Sequence, residues 1–360
     1  MFEVSTISER LRIGIIGCGE IAVQTAKAIH LAKNAEIGIV MDIREHLAKD
    51  LGTKYNVPYT TDLNEVFKSD IDAVYIATPH DTHAPITIKA AEAGKHVLVE
   101  KPIATNLKDA NRMIEACKRA GVKLSVCFIL RYNPPIVKTK ELIENGVIGD
   151  IIGIHTWALL DKPSSYWEGG YTGRVKDDWR KYKSRAGGGV LIMNVIHNID
   201  YLRYVTGLEV VKVYSEYDTL ATPVEVEDCI VVTLRFSNKA IGSIVASSCA
   251  KGGMGPFNIG QDRILGTKGQ VIITNPLLVY TTEDNAKYSL KANVWNKIHM
   301  EKVDPRLKYI EAVADAILSG RDPPITGEDG LKALKVVIAA YKSLSLGRPV
   351  SIDELSETYV

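Results

Sequence analysis

Leu11-Arg12-Ile13-Gly14-Ile15-Ile16-Gly17-Cys18-Gly19-Glu20-Ile21-Ala22 is the stretch on which the fold turns. It begins as a short apolar strand and runs straight into G-x-G-x-x-A, with Gly17, Gly19 and Ala22 in the three small-residue positions. Gly17 permits a tight turn, Gly19 lets backbone approach a pyrophosphate, and Ala22 lets the next helix pack close to the sheet. The N-terminal amides of that helix, at Glu20 and Ile21, then face the anion. The string alone would mark any tight turn. Placed after a strand and before a helix, it predicts a dinucleotide site.

Working outward, short β-branched runs alternate with helical periodicity up to Phe128. The expected strands are Arg12–Ile16, Glu36–Met41, Ala73–Ala77, His96–Val99 and Lys123–Phe128. Between them, Ile21–Ala32, Arg44–Lys54, Thr82–Ala93 and Leu107–Ala120 carry apolar residues three or four apart. That order predicts βαβ units and a parallel sheet covered on both faces. Gly94 and Gly121 read as left-handed helix caps. At the end of the second strand stands Asp42, placed to accept hydrogen bonds from the adenosine ribose and to repel a 2′-phosphate. This favours NAD, with NADP as the alternative because Arg44 lies two residues on. Asp42 also reads as a helix N-cap, a role compatible with the first.

After Arg131 the pattern changes. A helix near Pro135–Glu144 is followed by long alternating segments: Ile151–Leu159, Glu209–Tyr217, Cys229–Phe236, Ala240–Ser248, Asp262–Leu265, Gln270–Ile273 and Leu277–Tyr280. Few helices separate them, so antiparallel pairing is the economical expectation. Asn238-Lys239 reads as a hairpin turn, and helices return at Pro305–Leu318 and Gly330–Leu346. The reading is an α/β domain over 8–130, followed by an α+β domain over 131–360 with a large open, mainly antiparallel sheet.

Composition narrows the function. The chain has 360 residues, which at roughly 150 per domain fits two domains. Lys plus Arg is 44 against 43 for Asp plus Glu, a net charge of +1. Such a balance argues against a nucleic-acid partner and against electrostatic membrane attachment. Cys18, Cys117, Cys127, Cys229 and Cys249 are odd in number and form no C-x-x-C pair, which fits a reducing compartment and no zinc site. The first twenty residues lack the cationic start and long apolar core of a signal peptide, and no apolar run is long enough to span a bilayer. A cytoplasmic protein is expected.

Two further strings carry a family resemblance. Thr78-Pro79-His80-Asp81-Thr82-His83 precedes Gly94-Lys95-His96-Val97-Leu98-Val99-Glu100-Lys101-Pro102, and Gly187-Gly188-Gly189-Val190-Leu191 leads to His197-Asn198-Ile199-Asp200. Together with the phosphate loop they resemble the glucose–fructose oxidoreductase / inositol dehydrogenase / rhizopine catabolism family, over about residues 11 to 350. The resemblance implies a Rossmann domain, then a sheet-based domain through which members associate as homodimers or homotetramers. It implies an oxidoreductase moving hydride between NAD(P) and a secondary hydroxyl of a sugar, cyclitol or nucleotide sugar.

Oxidising a carbinol also removes its hydroxyl proton, so the site needs a base and a donor for the developing alkoxide. The resemblance gives these roles to His197 and Lys101. It places Thr78, Pro79, His80, His83, Glu100 and Arg131 beside the cofactor, with Gly17, Gly19, Glu20, Ile21, Asp42 and Arg44. His80 and His83 have no Cys or carboxylate cluster to complete a metal set. There are departures too. Met193 stands where members acting on free polyols carry a carboxylate, one turn before His197, and Asn194 is its polar neighbour. Ile129 replaces the usual Asn upstream of Arg131.

On the substrate side, Leu159 to Arg185 is long, aromatic and Gly-rich. Tyr166 and Trp167 can stack on a sugar ring, while Arg174, Arg180, Lys183 and Arg185 can face an anionic group. Tyr166, Trp167, Arg180, Asn194, Lys101 and His197 are therefore the substrate candidates. Two other functions fit the same residues: NAD-dependent glycoside cleavage by transient oxidation and elimination, and a non-catalytic dinucleotide-binding regulator.

Overall fold

The computed structural model describes residues 10–255 and 262–355. Residues 8 and 9 of the first expected domain, and 256–261 and 356–360 of the second, lie outside the described residues, as do residues 1–7.

The first sheet is parallel and has six strands: β1 (Leu11–Ile16), β2 (Ala35–Met41), β3 (Tyr59–Thr60), β4 (Ala73–Ile76), β5 (His96–Val99) and β6 (Leu124–Val126). Their order, β3-β2-β1-β4-β5-β6, winds outward in both directions from β1. The crevice between β1 and β4, at the carboxyl ends, is the switch point where such sheets bind ligands. Five helices flank it: α1 (Glu20–Leu31), α2 (Glu45–Tyr55), α3 (Leu63–Lys68), α4 (His83–Glu92) and α5 (Leu107–Ala120). The strands are apolar on both faces because both are covered; Ile13, Ile15, Val74, Tyr75, Val97 and Leu98 are fully buried. Gly94 and Gly121 sit at φ 73° and 68°, the left-handed caps expected of them.

Helix α6 (Pro134–Glu144) leads into a nine-stranded sheet. Its members are β7 (Ile151–Leu159), β8 (Val210–Asp218), β9 (Cys229–Phe236), β10 (Ile241–Ser247), β11 (Asp262–Gly266), β12 (Gly269–Ile272), β13 (Leu277–Thr281), β14 (Trp295–Ile298) and β15 (Val350–Ser351). Between β7 and β8 the chain forms α7 (Tyr166–Gly169), α8 (Lys183–Ala186) and α9 (Ile196–Thr206). The hairpin between β9 and β10 turns at Lys239, φ 74°, as the Asn238-Lys239 pair suggested. One pairing departs from the antiparallel expectation: β10 runs parallel to β7. The connection from β7 back to that edge carries α9, and such a crossover is what a parallel neighbour requires. The two-residue strands β3 and β15 and the edge strand β14 are too short or too polar to have been read from periodicity.

Two last helices, α10 (Pro305–Leu318) and α11 (Gly327–Leu346), close the structure. Although α10 follows the second sheet in sequence, it lies against the first. Tyr309 donates to Ser125 Oγ (2.9 Å), and Asn34 Nδ2 donates to Glu311 O (2.9 Å). Helix α11 packs on β8 and carries a capping box from Thr326 and Asp329.

The Gly187–Gly189 run is fixed by close backbone approach. A Cβ on Gly189 would lie 1.8 Å from the carbonyl oxygen of Glu227. The buried Glu227 carboxylate accepts from the amides of Gly189 (2.6 Å) and Leu191 (3.0 Å) and from Tyr341 Oη (2.8 Å). It thus caps the helical segment that carries His197. Gly189→Ala is expected to cost about 3 kcal/mol or more in urea unfolding. A loss under about 1 kcal/mol would show that this backbone shifts freely.

Candidate active site

The phosphate loop is built by the turn after β1. Gly17 has φ 89°, and a Cβ there would meet Ala77 O at 2.7 Å, so this position requires glycine. At Gly19 a Cβ would meet only Val175, at 3.7 Å. Packing does not demand glycine at 19, whereas a ligand approaching the backbone does. Helix α1 begins there with no side-chain cap, which leaves its first-turn amides for an anion. Asp42 Oδ2 accepts from Cys18 N (2.8 Å) and Oδ1 from Arg44 N (2.9 Å). One carboxylate thus braces the loop and the turn before α2; the N-cap of that helix is Arg44, with no side-chain cap, and not Asp42 as its position suggested. These features fit a dinucleotide.

A cleft of about 330 Å³ runs from this loop. Gly17, Gly19, Glu20, Ile21, Asp42, Arg44, Thr78, Pro79, His80, His83, Glu100, Lys101, Tyr166, Arg180 and Asn194 all line it. His80 Nδ1 lies 2.8 Å from Ala186 O, and His83 places its nitrogens 2.9 Å from Pro102 O and 3.1 Å from Thr78 O. Burial holds both imidazoles below their ordinary pKa. Their nitrogens tie backbone loops together. Among the described residues no group of three or more His, Cys, Asp or Glu is arranged to hold a metal.

Lys101 follows β5 through a cis bond to Pro102. Its ammonium donates to Met193 O (2.7 Å). Burial, with Lys162 and Arg180 nearby, holds it below the usual lysine pKa despite Glu100 and Tyr166. Glu100 faces inward, accepting from Tyr75 Oη (2.7 Å) and from Arg306 (3.2 Å).

Three expected residues stand apart from the cleft. Arg131 makes a bidentate pair with Asp200 (2.8 and 2.6 Å), reaches Asp329 (2.9 Å), and lies 4.7 Å from the Tyr204 ring centroid. Its guanidinium is a buried tie between α9 and α11, not a cofactor contact. Trp167 is buried edge-on against Tyr166, 5.3 Å between centroids, and supports that ring from behind. His197 lines a second cavity of about 700 Å³, with Asn194, Asn198, Tyr201 and Asp262. Its Nδ1 is buried with no partner among the described residues, and burial, then Lys101 and Arg306, hold it well below its ordinary pKa.

The spacing from Met193 to His197 differs from a regular helical turn because Leu191–Val195 forms a wide π turn. Met193 is buried, its sulfur 3.8 Å from Tyr166 Oη, and Asn194 is carried onto the wall common to both cavities. The Asn194 carbonyl oxygen accepts from Lys162 Nζ (2.6 Å). Sequence reading missed Lys162, which sits in a loop beside Pro163 with no motif around it. It is 5% exposed, and burial together with Arg180 brings it down to about 7.

Residues 11–128 match the GFO_IDH_MocA description "Oxidoreductase family, NAD-binding Rossmann fold", and residues 140–352 match "Oxidoreductase family, C-terminal alpha/beta domain". The chain belongs to the GFO_IDH_MocA oxidoreductase family. It is 30% identical over 353 residues to the uncharacterized oxidoreductase YrbE of Bacillus subtilis, covering 96% of this chain and 98% of that one. It is also 30% identical over 357 residues to myo-inositol 2-dehydrogenase of Thermotoga maritima, covering 96% and 99%. Among solved structures, the WlbA dehydrogenase of Bordetella pertussis, in complex with NADH and UDP-GlcNAcA, matches with TM-score 0.79 and 27% identity over 95% of this chain and 99% of that one. Both domains of the family are therefore present, and the first is its NAD-binding Rossmann fold.

Lys162 gives a pH signature. In the unfolded chain it stays protonated up to the ordinary lysine range, but in the folded protein only below about 7. The cost of burying its charge is fully present below pH 7 and is relieved as pH rises. Lys162→Met should therefore gain stability relative to wild type at pH 6, and this advantage should shrink by about 2 kcal/mol by pH 9. Parallel unfolding curves at the two pH values would show that the folded lysine remains charged.

Proposed function

We propose that this family member is an NAD-dependent dehydrogenase acting on a secondary hydroxyl of a sugar, cyclitol or nucleotide sugar. The observation that carries the reading is that the phosphate loop and Lys101 line one cleft. Bound there, NAD would accept hydride during oxidation, and NADH would return it in the reverse direction. Lys101 donates to the substrate oxygen and stabilises alkoxide character as the proton leaves. His197, kept neutral by burial, has a lone pair with which to take that proton. Asn194 orients the substrate from the wall between the cavities, and Tyr166 and Arg180 cover it. Cofactor binding falls to residues 8–130, and substrate binding and association to 131–360.

NAD is favoured over NADP because two carboxylates flank Arg44, the arginine two residues after Asp42. Arg44 pairs with Asp177 (3.0 Å), and Asp42 is buried beside it. A 2′-phosphate there would meet both acids. The relatives' dehydrogenase names support net hydride transfer over elimination or regulation without catalysis. Among the described residues no helix is long and apolar enough to cross a membrane. All five cysteines are free, which supports a cytoplasmic setting.

The activity is tested by following NADH formation across polyols, sugars and nucleotide sugars. A substrate should give a kcat/KM at least about tenfold higher with NAD than with NADP, and Lys101→Met should lower kcat by about 10³-fold. Bound NAD with no turnover across the series would overturn the dehydrogenase reading.

Association through the second sheet is part of the proposal. Its outward face exposes Trp157, Val231 and Ile241 to about half their area, with Val245 between Trp157 and Val231 in the register. An apolar stripe on an open sheet face suits a second copy. Light scattering should give a dimer or tetramer mass, and Val231→Lys should lower it. A monomeric wild type at micromolar concentration would rule this out.

A further inference from the structure

Seven cations lie between Asp161 and Arg185, and three of them are neutralised within the protein. Arg174 pairs with Asp50 (2.7 Å), Lys181 with Glu168 (2.9 Å), and Arg185 with Asp177 (3.2 Å) and Asp81 (3.5 Å). Arg180 and Lys162 are different. Among the described residues neither has a carboxylate within 4.0 Å, and neither does Lys101. Lys162 Nζ lies 3.9 Å from the Tyr166 ring centroid and Arg180 Cζ 5.0 Å from the same ring. Arg180 also lies 4.7 Å from the Trp179 ring. The polar partners of the two lysines are neutral: Asn194 Oδ1 for Lys162 and Met193 O for Lys101.

The acids of the cleft have partners of their own, and Glu20 also feels the charge of Arg180 from beyond ion-pair distance. Glu20 accepts from the amides of Tyr171 and Thr172, Glu100 from Tyr75 and Arg306, and Asp42 and Asp177 lie with Arg44. Met193 contributes a thioether where a carboxylate would have offset the charge. Lys162 and Arg180 thus meet at one aromatic ring; both disfavour the charge of Lys101, and Arg180 also disfavours that of Lys162. A buried cation without a counterion is costly, and an anion that accepts charged hydrogen bonds relieves the cost.

We propose that the substrate is a sugar acid whose carboxylate lodges against Lys162 and Arg180, with its oxidised hydroxyl reaching Lys101. The same cations could serve a different anionic group, the diphosphate of the cofactor. That group has its own place at the uncapped start of α1, and Lys162 is instead bonded to Asn194, on the wall shared with the His197 cavity. The ring faces of Tyr166 and Trp179 beside the cations suit the apolar face of a sugar.

The inference rests on the dehydrogenase reading, and binding separates the two. The enzyme–NADH complex is titrated calorimetrically at pH 6.5 with D-glucuronate against D-glucose, D-galacturonate against D-galactose, and UDP-glucuronate against UDP-glucose. At least one acid should bind tenfold or more tightly than its neutral counterpart. That preference should fall at least tenfold in Lys162→Met and in Arg180→Met, with NADH affinity changing less than threefold. Arg180 is at the rim, so its variant keeps the test open if Lys162→Met folds poorly. Equal binding of acids and neutral sugars, or a preference that survives the substitutions, would overturn the proposal. So would an Arg180→Met variant that loses NADH affinity and keeps the preference. Selective binding of an acid without NADH formation from NAD would leave the acid site standing and remove the dehydrogenase. Turnover confined to neutral sugars would do the opposite.

Discussion

Glu100 and Arg306 meet 3.2 Å apart beneath the carboxyl edge of the first sheet, both nearly excluded from solvent. The pair joins the residue before Lys101 to helix α10, which arrives from the far end of the chain. Arg306 also donates to Thr25 Oγ1 (2.8 Å), Thr25 donates to Tyr75 Oη (2.9 Å), and Tyr75 donates to Glu100 (2.7 Å). This closed set links α1, β4, the end of β5 and α10. A buried ion pair is weak evidence for stability, since desolvation offsets much of its attraction. Breaking one partner away is costly, however, and that makes the geometry specific. The Lys101 ammonium is aimed from a frame fixed on four sides.

A second buried set holds the other side. Arg131, Asp200 and Asp329 fasten α9 to α11, and Glu227 caps the segment that leads into α9. Between these frames lie the wide turn at Leu191–Val195 and the Lys162–Asn194 contact. The frames are rigid and fully paired. The groups between them keep unused hydrogen-bonding capacity: Lys101, Lys162, Arg180 and His197 Nδ1. Polar groups that are buried yet incompletely satisfied tend to mark places where a ligand completes the structure.

The segment over the cleft is held by polar contacts as well as by the packing of Tyr166, Trp167 and Trp179. Glu20 receives the amides of Tyr171 and Thr172, Arg174 reaches Cys18 O (3.0 Å), and Asp177 receives Arg44. Each of these anchors sits on the phosphate loop or the strand ends beside it. The aromatic segment that the sequence offered for the substrate therefore also roofs the cofactor cleft. Of the cations offered there as anion contacts, Arg174 and Arg185 are occupied by carboxylates, and Lys183 does not line the cleft, whereas Arg180 does.

The first domain was legible because its signals are local. Alternating apolar runs, a G-x-G-x-x-A turn and Asp42 at a strand end each reflect constraints acting within a few residues. Lys101 and the loop residues 78–83 were reached through the family resemblance of contiguous strings. What remained hidden depends on partners distant in the chain. The parallel β7–β10 pair has no local signature, because register between remote strands is set by the layers packed around them. Arg131, which the resemblance placed beside the cofactor, is enclosed by Asp200 and Asp329, partners distant in the chain. Lys162 carries no motif, and only its burial against Asn194 and Tyr166 gives it a place in the site. The sequence by itself determined the dinucleotide fold and the main chemical groups, since backbone geometry and side-chain type encode those directly. The tertiary structure alone decided which cations are neutralised and which stay available, because that depends on distances between residues the chain brings together only on folding.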